Sequence, residues 1–275
     1  MSKLMPLFLI SFIGNYFSCN SQNLTVLDTS IYFCQYNYVV QVDSTDVAIK
    51  QATVMNLYIG NGISKYEHSS NFRKDSLLKV HSKEDPTTAA LKILPSLMNN
   101  RSNFFTKYQV IKTKTNKVVL KEQIEKTFYQ VEMDTALSWQ LIDRDTTILG
   151  LNCKMARTDY KGRNYKAYYT TDIPIGDGPY IFKGLPGLII SITDAHKEHT
   201  FELITFLPNS YKRPIYDYNI VYKSITSQQY IKAKEVSLNS QIEKYTSSSM
   251  TQDPNIALRM RFHMMKHNNF IERFQ

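Results

Sequence analysis

The chain has 275 residues, a formal net charge of +9 at pH 7, and 19 Tyr and 14 Phe against only 9 Gly. That length is enough for one large domain with a sizeable core, and the aromatic enrichment excludes a low-complexity chain. The basic balance suits acidic glycans, anionic lipid or plain solubility. The nearest approach to a basic run, Arg259-Met260-Arg261 with Lys266, reads as well as a solvated helix face, so no nucleic-acid partner is expected.

Lys3 followed by a largely apolar run from Leu4 to Phe17 reads as an export signal, too short to span a bilayer as a helix. Small and polar residues at 18–21 place cleavage after Ser21, making residues 1–21 the signal and 22–275 a single β-rich domain. The competing reading acylates Cys19, although Tyr16-Phe17-Ser18 lacks the usual Leu three residues before the cysteine. No later segment is apolar over ~20 residues.

Residues 31–42 alternate Tyr32, Cys34, Tyr36, Tyr38, Val40 and Val42 onto one face and predict a long strand. Further strands are predicted at 53–59, 62–68, 107–114, 117–122, 127–133, 138–143, 153–160, 163–171, 187–193, 199–207 and 216–223. Lys161-Gly162 suits a two-residue hairpin. A short helix is expected over Thr87–Met98. A second runs from Ser227 to Tyr245 with Tyr230, Ile231, Val236, Leu238, Ile242 and Tyr245 as its stripe. Asp253-Pro254 starts a last helix over 256–266, joined through Ser247-Ser248-Ser249. The fold class is therefore mainly β with added helices (α+β). We expect a curved antiparallel sheet or partly closed barrel, with a helical region at about 226–267 packed on it, over its concave face.

The segment Gly178–Asp194 is the most distinctive. Pro186-Gly187 fits the centre of a type II turn, leading into a buried strand at Leu188–Ile192. Its glycines serve either a tight corner with close backbone approach or a loop touching a ligand or partner. In the second case Gly178, Pro179, Gly184, Pro186 and Gly187 are the binding candidates.

Gly184–Ile189 reads G-L-P-G-L-I, and other blocks accompany it: Leu57–Gly60 with Ser64 to Tyr66, Trp139 with Ile148–Ala156, Gly162–Tyr169, and Ile173-Pro174 with Gly178-Pro179. The chain ends in Asn269-Phe270-Ile271-Glu272. Together these resemble the GLPGLI family, envelope-associated proteins of the Bacteroidetes whose molecular activity is not established. The resemblance implies a cell-envelope setting beside outer-membrane receptor systems, and it transfers no catalytic residue.

Several chemistries fail on motif. Gly176-Asp177-Gly178 begins a dinucleotide fingerprint, but Ile181 stands at its third glycine; no P-loop, nucleophile elbow, H-E-x-x-H or C-x-x-C occurs. His263 and His267, one helical turn apart beside Met260, Met264 and Met265, could hold a soft metal ion or simply sit on an amphipathic helix. His196 and His199 fall in a turn. Arg163 and Asp172 could ring a ligand mouth or form a surface charge pair. The alternating Tyr residues could line an apolar pocket or be core. Cys34 and Cys153 could pair or remain buried thiols.

The function expected from these residues is an exported, non-enzymatic binding or accessory protein, with no cofactor, holding an apolar small molecule or an envelope-protein segment. It would be at most peripheral to the outer membrane. The alternatives are a metal-dependent hydrolase using His263 and His267 and a purely structural envelope component.

Overall fold

The computed structural model describes residues 24–44, 46–71, 84, 85, 88, 92, 108–208, 212–218, 220–246 and 271. The elements follow as β1 (Leu24–Gln41), β2 (Lys50–Gly60), β3 (Ile63–His68), β4 (Gln109–Thr113), β5 (Val118–Ile124), β6 (Thr127–Glu132) and β7 (Gln140–Ile148). After them come β8 (Leu151–Tyr160), β9 (Arg163–Thr170), β10 (Leu188–Asp194), β11 (His199–Leu207), β12 (Arg213–Tyr218), β13 (Lys223–Ser224) and one helix, α1 (Ser227–Thr246). The predicted strands all have counterparts among them. The export signal, Cys19 and the predicted helix 256–266 with His263 and His267 lie outside the described residues. So does most of Thr87–Met98, of which Thr88 and Lys92 are described and helical.

The strands form one sheet in the order β13-β6-β5-β4-β3-β2-β1-β11-β10-β9-β8-β7, with β12 paired to the first half of β1. The β13–β6 pair is parallel and the remaining pairs are antiparallel. β6 and β7 stand near opposite ends of that order, yet only residues 133–139 join them. Ten strand spacings would set them ~48 Å apart on a flat sheet, whereas so short a connection reaches ~27 Å. The sheet must therefore curl until its ends approach, and it stays open at that seam rather than closing into a barrel.

The inner face is the core. Cys34, Tyr36, Tyr38, Val40 and Val42 are buried as the period-two pattern predicts, facing Leu57, Tyr66, Val110, Leu120, Tyr165, Ile192 and Phe201. At the Lys161-Gly162 hairpin both φ angles are positive, 45° and 74°, the type I′ geometry that two-residue loops favour. A second such corner joins β7 to β8 at Leu149 (φ 54°) and Gly150 (φ 77°).

On the outer face the β1–β12 pair folds over the middle strands. Ile215 packs on Phe33 and Tyr58, and beneath it the buried Lys65 ammonium reaches Glu67 at 3.0 Å and donates to the Tyr216 carbonyl at 2.7 Å.

Helix α1 opens on a capping box. Thr226 Oγ1 accepts from Gln229 N at 3.2 Å, and Thr226 N donates to Gln229 Oε1 at 3.0 Å. Among the described residues the helix docks at the β5–β6 flank, where buried Tyr230 donates to the Glu122 carboxylate on β5 and Lys234 joins them at 3.2 Å. Val236, assigned to the helix stripe from sequence, points to solvent. The middle of the concave face is covered not by this helix but by the segment between β9 and β10.

His68, at the end of β3, is buried with Nε2 2.8 Å from Thr53 Oγ1, while Nδ1 accepts from Ser70 N at 3.1 Å. Burial pushes its pKa down to about 4. The unfolded chain therefore takes up the proton first as pH falls from about 6.5 toward 4, and stability declines across that window by up to about 3 kcal/mol. In urea titrations at pH 7 and pH 4.5, His68→Gln should lose less stability on acidification than the wild-type chain. Equal losses in both proteins would refute the assignment.

Candidate functional site

The segment from Asp172 to Gly187 leaves β9, crosses the hollow of the sheet and returns as β10. It has no regular structure but is tied down by its own backbone: Gly184 N donates to Gly176 O and Leu188 N to Ile173 O, both at 3.0 Å. Ile189 N donates to Asp177 O at 3.1 Å. Tyr180, Ile181 and Phe182 are driven into the core, all at or below 1% exposure. Phe182 sits against Tyr165 (ring centroids 4.7 Å), Phe201 (6.2 Å) and Tyr160 (6.3 Å). Tyr180 holds φ at 52°, a conformation a bulky residue adopts only when its surroundings over-determine it.

The signature glycines follow from this path. A Cβ on Gly187 would lie 1.9 Å from the Thr170 carbonyl oxygen, and one on Gly178 would lie 2.7 Å from Ile189 Cδ1. The positive φ belongs to Gly184 (93°) and not to Gly187. Pro186-Gly187 is therefore no type II turn. Gly187 is required by backbone crowding against β9, the close-approach reading.

Three polar ties pin the segment to both flanks. Lys112, an inner-face residue of β4, pairs with Asp177 and donates to Gly178 O at 2.5 Å. Lys183 Nζ donates to Thr113 O at 3.0 Å, and Trp139 Nε1, just before β7, donates to Lys183 O at 2.9 Å. Burial lowers the Lys112 pKa while Asp177 opposes that, and burial raises the thiol of Cys34 beneath them. A Lys–Asp–Cys grouping suggests proton transfer or nucleophilic chemistry, but Lys112 is 1% exposed and Cys34 is 0% exposed. Lys112 is sealed from solvent, and its pairing with Asp177 and Gly178 O ties the segment to β4.

The other candidates resolve as follows. Arg163 does not meet Asp172, which is exposed. It is buried and joins Asp194 (3.2 Å) and Glu198, while its Nε donates to Ile271 O at 3.0 Å. Tyr36, Tyr38, Tyr165 and Tyr169 are core, and Tyr36 donates to the Ile189 carbonyl at 2.7 Å. His196 is exposed, whereas buried His199 stacks on Tyr38 with Nδ1 2.9 Å from its hydroxyl, so the two histidines do not converge. Cys34 and Cys153 are separate buried thiols. Among the described residues no group of three or more His, Cys, Asp or Glu is placed to hold a metal ion, and no helix is long and apolar enough to cross a membrane. Sequence reasoning missed Lys112. Its signal was a charged residue two positions after Val110, on the face that period two assigns to the core.

Residues 97–191 match a family described as a protein of unknown function (Porph_ging). That span holds Lys112, Trp139, Arg163 and the whole crossing segment, and its description does not carry the GLPGLI name. No curated protein matches the chain. Two solved structures of PNGF-II, in C2 and P21 space groups, resemble it with TM-scores of 0.50 and 0.48 at 13% identity. The match covers 76% of this chain but 33% and 34% of those, so the chain spans about a third of their length. Such a likeness concerns the β-rich fold alone.

Proposed function

We propose that the chain is an exported, non-enzymatic accessory protein of the cell envelope that binds another protein on its outer surface. A small apolar molecule held inside the curved sheet is disfavoured by one observation: Tyr180, Ile181 and Phe182 already occupy the aromatic hollow that would hold it. Export is supported by the signal-like run at 1–21, and an association with outer-membrane receptor systems by the GLPGLI-like blocks.

Native mass spectrometry of the protein gently extracted from its own envelope tests this reading. The expected species are a complex with a second polypeptide and, after stripping, a bare chain starting at Gln22. A retained equimolar lipid would restore the carrier reading, and a retained metal ion would favour the hydrolase alternative at His263 and His267.

A further inference from the structure

We propose that Asn61, in the turn between β2 and β3, is a site of spontaneous deamidation, and that the Asp28 carboxylate holds this reaction in check.

Asn61-Gly62 is the single Asn-Gly step of the chain, and both residues are exposed. Such a step is chemically labile. The backbone nitrogen of the second residue can attack the side-chain carbonyl carbon of the first, and Gly has no side chain to obstruct the approach. In this reaction a bond forms between Gly62 N and Asn61 Cγ, and the Cγ–Nδ2 bond breaks. The Gly62 N–H proton passes to solvent, and the amide nitrogen takes up a proton and leaves as ammonia. Water then opens the succinimide at either of its two carbonyls. One opening leaves Asp at 61; the other leaves isoaspartate, with the main chain rerouted through the side chain. No reagent other than water is required.

The turn is clamped against this chemistry. Asp28 stands on β1 beside the strand's first pair with β2, Ser30 with Gly60. Its Oδ2 accepts from Gly62 N at 2.7 Å and from Ile63 N at 3.2 Å, and its Oδ1 accepts from Thr29 N at 2.7 Å. A Cβ on Gly60 would lie 2.4 Å from the same Oδ2, so the carboxylate is seated directly on the turn. Burial alone would raise its pKa, but the N–H groups of Gly62, Thr29, Ile63 and Asn61 outweigh burial and hold it below the usual carboxylate range. The group is therefore charged at neutral pH. It opposes cyclisation in two ways. The Gly62 nitrogen must give up its hydrogen bond before it can turn toward Asn61 Cγ. Attack also proceeds through the amide deprotonated at that nitrogen, a negative charge that the neighbouring carboxylate repels. A carboxylate is itself far too weak a base to remove the amide proton.

Reaction would place a second carboxylate beside Asp28, and isoaspartate would also lengthen a turn formed by residues 61 and 62 alone. Either product loosens the anchor of the β1–β12 pair, which carries Ile215 over Phe33 and Tyr58.

The test holds the purified full chain in mildly alkaline buffer, native and unfolded in urea. Mass spectrometry then follows the peptide containing Asn61 for conversion to Asp and isoaspartate. The native wild-type chain should convert at least about tenfold more slowly than the unfolded chain. Asp28→Ala, verified as folded by circular dichroism, should convert about tenfold faster than the native wild type. Asp28→Asn can still accept from Gly62 N but carries no charge, so its rate should fall between the two. Gly62→Ala should suppress conversion in every state; its Cβ would lie 3.7 Å from Asp28 Oδ2, an ordinary contact, so the fold is retained. Asn61→Asp, which reproduces one product, should unfold at lower urea than the wild type. An unfolded chain that does not convert at Asn61 would remove the site. A native wild type as fast as the unfolded chain, or folded Asp28 variants no faster than the wild type, would overturn the role of Asp28. Unchanged stability of Asn61→Asp would overturn the effect on the β1–β12 anchor.

Discussion

Gly187→Ala is expected to unfold the protein or to lower its stability by about 3 kcal/mol or more. The added Cβ would stand 1.9 Å from the carbonyl oxygen of Thr170 and 2.6 Å from its carbon, atoms of a strand backbone that cannot rotate aside. Relief requires β9 to separate from the start of β10, where Leu188 opposes Thr170 in register. Gly150→Ala is the matched control. Its φ of 77° disfavours a side chain, but nothing lies within 4 Å of the site, so a loss of about 1 kcal/mol is expected. Urea unfolding monitored by Trp139 fluorescence measures both. A loss below 1 kcal/mol at Gly187 would show that the crossing segment does not pack as described.

Arg163→Met should lower stability by about 3–5 kcal/mol, because it strands two buried carboxylates. Asp194 is 2% exposed and Glu198 is 7% exposed, and both contact the Arg163 guanidinium. The same change leaves the Ile271 carbonyl without its Arg163 donor, loosening the point where the end of the chain meets β9. The triple variant Arg163→Met/Asp194→Asn/Glu198→Gln removes the orphaned charges. Asp194 Oδ1 accepts from His199 N at 2.7 Å in the native chain, and the amide oxygen that replaces it can still accept that bond. The triple variant should recover most of the loss. Equal stability of the single variant and the wild type would mean that the two carboxylates reach water. A triple variant as unstable as the single one would put the effect in packing rather than charge.

The two variants act on features of different legibility. Alternation of apolar residues is a local property, so β1, with Tyr36, Tyr38 and Val40 inward, could be read from sequence, as could the Lys161-Gly162 corner. Partner choice among charges is not local. Arg163 pairs with residues 31 and 35 positions away, Lys112 with one 65 positions away. Nothing in the neighbourhood of either residue names those partners. The Pro186-Gly187 error has the same origin. Turn chemistry correctly marked a break between strands, but Gly187 serves the approach of β9, a non-local crowding that a dipeptide cannot report.

The candidate site follows that division. The sequence marked Gly178–Gly187 as exceptional without distinguishing a ligand loop from a structural corner. The cover of the hollow was assigned to C-terminal helices because an amphipathic stripe at 227–245 must bury itself somewhere. Of those helices the one predicted over 256–266 lies outside the described residues; the structure places α1 at the β5 flank, where the Glu122 carboxylate selects Tyr230 and Lys234.

By itself the sequence determined the β class, nearly every strand and the inward face of β1, because backbone geometry imposes period two within a few residues. Only the tertiary structure decided that the sheet curls without closing, that the signature fills its own hollow and that β7, among the described residues, pairs on one side. Those outcomes depend on which distant strands meet, and pairing free energy is shared among residues far apart in the chain.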